Sequence, residues 1–213
     1  MGHATVGEVI SNGVNTAFHP VNAEKPTEFG DHFVILFTGR YSKEKSHKVL
    51  IDGVAQSKYA DRIQLVFAGS GPLEKTIREY AAQRLKNPPL MRFFSRTELV
   101  NLINSADLYV HPAEIEIEAI SCLEAIACGL VPVIADSPRS ATRFFALTKE
   151  NLFRFNDPAA LAERIDYWLS DPEKRRACRE RYLGYAQKFE QGHCMDEMER
   201  MILETVETKH ESA

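Results

Sequence analysis

Short apolar runs alternate along this chain with stretches in which apolar positions recur every three or four residues. Phe33–Thr38, Ile63–Ala68, 90–94, Leu108–His111 and 131–135 read as strands covered on both faces, and 152–155 as a sixth. Helical periodicity is predicted over 47–57, 72–85 (with Pro72 at the first helical position), 97–106 and 118–128. Beyond the sixth strand the pattern is helical over 158–169, 172–189 and 194–207. Buried strands alternating with helices predict a parallel sheet with helices on both faces, the doubly wound, Rossmann-like α/β class. Ligands bind outside the carboxyl ends of such strands. Residues 39–45, 69–71, Ser95 and 111–118 should therefore line one rim.

The two ends read differently. Residues 1–30 hold Ser11-Asn12-Gly13, Pro20 and Pro26 without a second apolar core, and are predicted to be a linker entering a domain that spans 31–190. Residues 191–213 are predicted to be a C-terminal helix and tail. Met195, Met198, Met201, Ile202 and Val206 give that helix one apolar side, which is loose unless it packs on the sheet or a partner.

Composition narrows the function. The 213 residues are 44% hydrophobic and 26% charged, ordinary for a globular protein. With 26 Lys and Arg against 30 Asp and Glu, the net charge of −4 offers no basic field for nucleic acid. No apolar run spans a bilayer, since 119–135 is interrupted by Glu124, Gly129 and Pro132, and no secretion signal is evident. Cys122, Cys128, Cys178 and Cys194 lack metal-ligand spacing, so buried thiols in a reducing cytoplasm are expected.

Glu124 is the strongest local anomaly. Its helix is apolar nearly all round, and a buried, unpaired carboxylate costs several kcal/mol. It needs an Arg, backbone donors, or a ligand offering paired hydroxyls. Glu114, Glu116 and Glu118 alternate just before that helix, either as an acidic helix start or as rim chemistry. Free N–H groups around Ala119, Ile120 and Ser121 can receive an anion. Gly39-Arg40, with Lys43, Lys45 and Lys48 following, is either a solvated basic loop or a diphosphate site in which Arg40 and Lys45 neutralise charge. Gly69-Ser70-Gly71 starts a dinucleotide fingerprint, but Glu74 stands at its sixth position, and there is no phosphate-binding GxxxxGK[ST] loop or Asp-x-Asp pair. A dehydrogenase, a P-loop NTPase and a metal-held diphosphate are therefore disfavoured.

Together these residues resemble the C-terminal half of retaining GT-B glycosyltransferases of glycosyltransferase family 4, over nearly the whole chain. Asn12-Gly13-Val14-Asn15, Phe18 and Pro20 are similar to its interdomain linker, Gly39-Arg40…Glu44-Lys45 to its phosphate loop, and Glu116…Glu124 with Cys128-Gly129 and Pro132-Val133 to its E-x7-E motif and following strand. The run from Glu116, with 137–142 and Phe145 to Leu147, most resembles bacterial lipid glucosyltransferases acting on diacylglycerol or cholesterol.

The resemblance implies UDP-glucose as donor and no metal. Arg40 and Lys45, with Gly39 and the backbone at Ala119, Ile120 and Ser121, would hold the diphosphate. Glu124 would take the ribose hydroxyls, Glu116 the sugar, and Phe94-Ser95 the base. It further implies a lipid or glycan acceptor, a missing N-terminal domain without which this half binds but does not transfer, and cytoplasmic-face membrane contact. Where the family usually has Glu-Gly-Phe-Gly this chain has Glu116-Ile117-Glu118-Ala119, and Ser46 replaces a Gly. A non-catalytic nucleotide-sugar-binding partner module, and a Rossmann-like protein with structural Glu116 and Glu124, are the alternatives. The basic stretch 171–182 could meet anionic lipid, but interleaved Glu173 and Glu180 favour a solvated helix.

Overall fold

The computed structural model describes residues 9–210, with side chains to Val206. Strands β1 (Phe33–Thr38), β2 (Ile63–Ala68), β3 (Leu90–Arg92), β4 (Leu108–His111), β5 (Pro132–Asp136) and β6 (Leu152–Arg154) form one sheet. Its order is β3-β2-β1-β4-β5-β6 with every pair parallel. This is the doubly wound α/β fold that the alternation predicts. Val34 to Phe37, the centre of β1, is fully buried, which is why that run carries no polar alternation.

Helices α1 (His47–Gln56), α2 (Glu74–Ala82), α3 (Arg96–Ser105), α4 (Ile120–Ala127), α5 (Pro158–Leu169), α6 (Pro172–Ala186) and α7 (Gln191–His210) complete the fold. α1 packs on α2 and α5, and α4 on α6. Several boundaries move from the sequence expectation for local reasons. α2 starts at Glu74 rather than Pro72, because Leu73 N–H is given to Tyr41 O at 3.2 Å and the intervening residues turn. α3 starts at Arg96 on a capping box, in which the Ser95 hydroxyl accepts from Glu98 N–H and the Glu98 carboxylate accepts from Ser95 N–H. β3 ends at Arg92, releasing Phe93 and Phe94 from the ladder. α4 starts at Ile120 rather than 118, since Ile120 N–H turns back to Glu118 O at 2.9 Å.

The Gly69-Ser70-Gly71 turn serves the close approach of two loops. A Cβ on Gly69 would lie 2.0 Å from Gly39 O, and one on Gly71 2.6 Å from Tyr41 N and O. That contact lets Gly39 N–H reach Ala68 O at 3.1 Å and Tyr41 N–H reach Ser70 O at 2.9 Å, holding the loop after β1 on the turn after β2.

The segment predicted as a linker is laid onto the domain. Val14, Phe18 and Phe29 join the core. Val14 N–H donates to Phe189 O at 2.6 Å, and Val14 O accepts from Gln191 N–H at 3.2 Å, at the start of α7. Residues 1–8 lie outside the described part, as do 211–213. α7 is anchored by its first turn, where Cys194 is buried, while Ile202, Leu203 and Val206 are exposed. All four cysteines are buried and unpaired. On α6, Lys174 pairs with Asp171, Arg175 with Asp107 and Arg176 with Glu173, so much of its positive charge is already met. Among the described residues no helix is long and apolar enough to cross a membrane.

Candidate functional site

β1 and β4 are neighbours in the sheet but are separated in the chain, and the strand order reverses between them. In open α/β sheets, ligands bind in the crevice outside the carboxyl ends of the strands at such a reversal. The two loops, 39–45 and 112–119, carry Gly39, Arg40, Lys45, Glu116 and Ala119, half of the predicted site residues. They are tied together where Glu114 N–H donates to Glu44 O at 2.9 Å.

Lys45 and Glu116 meet directly: Lys45 Nζ pairs with Glu116 Oε2. His111 Nε2 stands 3.3 Å from the same oxygen, in reach although not aligned as a hydrogen bond. Burial pushes the Glu116 carboxyl up, but His111 and Lys45 outweigh it and hold the group below the usual carboxylate range. Glu116 is thus an ionised, oriented carboxylate. Its backbone is clamped as well, with Glu116 N–H on Arg139 O at 3.3 Å and Ala141 N–H on Glu116 O at 2.9 Å. Ser137 Oγ donates to Glu114 O at 2.7 Å, so the segment following β5 backs the acidic loop.

α4 presents Ser121 and Glu124 one turn apart on one face. The Ser121 hydroxyl lies 3.1 Å from the Tyr109 phenol. Ile120 N–H is spent on Glu118 O, so it is not the open donor expected from the sequence. The N–H groups of Ala119 and Ser121 meet no acceptor among the described residues. Glu124 is half-buried rather than enclosed, and among the described residues its carboxylate makes no hydrogen bond or ion pair. Burial pushes its carboxyl up to about 7, with Arg96 at the start of α3 opposing the shift. Among the described residues, then, the Glu124 carboxylate has no bonded partner, and Arg96 acts on it only through its charge.

Arg40 is exposed and makes no ion pair among the described residues. It lines an open hollow of about 470 Å³ with Thr38, Gly39, the 69–71 turn and Phe93. Phe93 is 74% exposed. Phe94 is buried with the Arg92 guanidinium 3.7 Å from its ring centre, and the Ser95 hydroxyl and N–H are consumed by the capping box. Lys45, Glu116 and Glu124 do not line the Arg40 hollow. The rim instead carries three separate stations: the hollow, the Lys45–Glu116 pair and the first turns of α4.

Several participants escape a reading by motif. The capping box was visible as Ser95-x-x-Glu98, and a His ending a wholly apolar strand was a signal for His111. Glu118 had no such signal: its carboxylate accepts from Asn12 Nδ2 at 2.6 Å, Asn12 N–H at 3.2 Å and the Ser11 hydroxyl, strapping the predicted linker to the start of α4.

Comparison with known proteins agrees with this architecture. The family Glycosyl transferases group 1 matches residues 19–182. The catalytic domain of cholesterol-alpha-glucosyltransferase from Helicobacter pylori is 44% identical, with a TM-score of 0.71 over 74% of this chain and 98% of that one. Anabaena HepE, solved with UDP-glucose, shares the fold at 18% identity, with a TM-score of 0.80 over 92% of this chain and 57% of its own. A GDP-mannose-dependent monoacylated alpha-(1-6)-phosphatidylinositol monomannoside mannosyltransferase of Corynebacterium glutamicum is 30% identical over 68% of this chain. The chain spans 40% of the length of that relative.

Proposed function

Because the chain belongs to the Glycosyl transferases group 1 family, we propose that it is the donor-binding domain of a retaining hexosyltransferase that uses UDP-glucose and a lipid or glycan acceptor. The observation that carries the reading is the direct pairing of Lys45, from the loop after β1 that also carries Arg40, with Glu116, from the loop after β4 that leads into the open first turn of α4. Cations and N–H groups suit a diphosphate, and two carboxylates suit hydroxyls. The 44% identity to a cholesterol-alpha-glucosyltransferase catalytic domain supports glucose and a lipid acceptor, and the UDP-glucose complex of HepE supports the nucleotide.

In this reading Arg40 and Lys45 stabilise the diphosphate as the bond from the anomeric carbon to the phosphate oxygen breaks. The acceptor hydroxyl bonds to the same face of that carbon, and the leaving phosphate oxygen takes its proton. Preorganised positive charge at the departing oxygens is then the main protein contribution. Glu116 grips sugar hydroxyls, Glu124 receives the ribose diol, and Phe93 offers a face to the base. The reading assigns no metal. Acceptor binding belongs to an N-terminal domain, so this chain binds donor without transferring it, at the cytoplasmic face of a membrane in the complete enzyme.

Calorimetry of the chain with UDP, GDP and UDP-glucose tests this. Saturable heat with UDP and UDP-glucose, and weaker binding of GDP, is expected. A folded sample giving no heat at millimolar nucleotide overturns the proposal, and a preference for GDP overturns the donor assignment.

A further inference from the structure

Tyr109 and His111 point from β4 to the underside of the crevice, and both are fully or almost fully enclosed, at 0% and 1% exposure. Each touches one of the stations above. Ser121 Oγ is 3.1 Å from Tyr109 Oη, Tyr109 Oη is 3.3 Å from His111 Nδ1, and His111 Nε2 is 3.3 Å from Glu116 Oε2. Lys45 Nζ pairs with that same Glu116 oxygen.

Enclosed polar atoms must find partners among themselves. The ionised Glu116 carboxylate can only accept, so a proton on Nε2 is attracted to it, while a lone pair there would be repelled. Nε2 makes no aligned hydrogen bond among the described residues, and the Glu116 oxygen stands within reach of it. With the proton on Nε2, Nδ1 must accept, and the nearby donor is the Tyr109 hydroxyl. The Tyr109 oxygen then accepts from Ser121. The opposite tautomer faces a lone pair with a carboxylate and leaves Tyr109 without that acceptor. Burial also holds the His111 imidazole below its ordinary range, which keeps it neutral and able to do both.

We infer that Tyr109 and His111 are positioning residues: hydrogen bonds run in one direction from Ser121 through Tyr109 to Nδ1 of His111, and the Nε2–H of that tautomer faces Glu116 at 3.3 Å and holds it electrostatically for the donor sugar. What Glu116 is set towards rests on the donor-binding reading; the direction of the chain does not. The chain fixes the spacing between the α4 start, which faces the diphosphate, and the carboxylate that faces the hexose. Polar chains of this kind lose more than one contact when a link is cut.

Long-range proton–nitrogen spectra of the imidazoles test the direction without any ligand. There are seven histidines, and the signal absent from His111→Gln identifies the one at issue. Nε2–H is expected; Nδ1–H in the folded protein overturns the inference. Binding tests the consequence. Tyr109→Phe, which keeps the core filled, and His111→Leu should weaken UDP-glucose about tenfold while changing UDP less than about twofold. His111→Gln, whose amide can still offer an N–H to Glu116, should recover most of the loss. Equal effects on UDP and UDP-glucose in Tyr109→Phe, with no recovery by His111→Gln, overturn the positioning role. If no variant and no wild-type sample binds nucleotide, the proposed function falls and the tautomer alone decides the chain.

Discussion

Lys45 Nζ and Glu116 Oε2, from loops 71 residues apart, are ion-paired at the mouth of the crevice, with 18% and 16% of their side chains exposed. Lys45 suits a phosphate and Glu116 a sugar hydroxyl, yet in the free chain each satisfies the other. The pair keeps two partly dehydrated charges in place until a ligand divides them.

Removing one partner strands the other. Lys45→Met should destabilise the chain by about 2 kcal/mol, because an ionised, mostly buried Glu116 loses its counter-charge. Lys45→Met combined with Glu116→Gln should regain at least half of that. Urea midpoints of the four proteins measure the cycle, and additive losses would show that the pair carries no coupling.

Glu124 makes stability and binding depend on pH in opposite senses. Its folded pKa, about 7, lies above the ordinary carboxyl value of 4.5. Between those values the folded chain holds more protons than the unfolded one, so stability falls as pH rises across the window. The loss should be on the order of 1 kcal/mol, discounted for partial exposure, and should vanish in Glu124→Gln. Denaturation at pH 5 and pH 8 reads it. A ribose diol donates best to the ionised carboxylate, so UDP-glucose should bind more tightly at pH 8 than at pH 6, by up to about tenfold, with the trend lost in Glu124→Gln.

Arg40 and Phe93 share a hollow but should act on different parts of a nucleotide. Arg40→Ala is expected to weaken UDP by about tenfold or more and uridine by less than about twofold, because the lost contact is a charge-assisted one to phosphate. Phe93→Ala should weaken UDP and uridine alike, by roughly fivefold or more, since a base stacking on a ring is worth about 1 kcal/mol or more. Its exposure means that the fold should tolerate the change. Phe94→Ala should instead lower the urea midpoint, as expected of a core residue.

Ser46 sits at φ 52° and ψ 39°, left-handed backbone between the basic turn and α1. The family resemblance puts Gly there, and glycine alone adopts this conformation without a Cβ clash. Ser46→Gly should raise stability by roughly 0.5–1 kcal/mol, the relief of strain being offset in part by the freer unfolded chain. A shift in the urea midpoint at constant slope would show it.

The sequence by itself determined the sheet and its class. β1, β2 and β4 begin and end where their apolar runs do, because strands buried on both faces cannot carry polar alternation. It also picked out most of the rim, since Gly39, Arg40, Lys45, Glu116, Ser121 and Glu124 stand at strand ends or on the early turns of one helix. Tertiary structure alone decided who meets whom. That Lys45 pairs with Glu116, that Phe93 rather than Phe94 faces the hollow, and that Asn12 reaches Glu118 all depend on where separate loops converge. Periodicity reports burial one element at a time. A pairing across 71 residues of chain, such as Lys45 with Glu116, arises only when the parallel sheet brings its carboxyl ends to one edge.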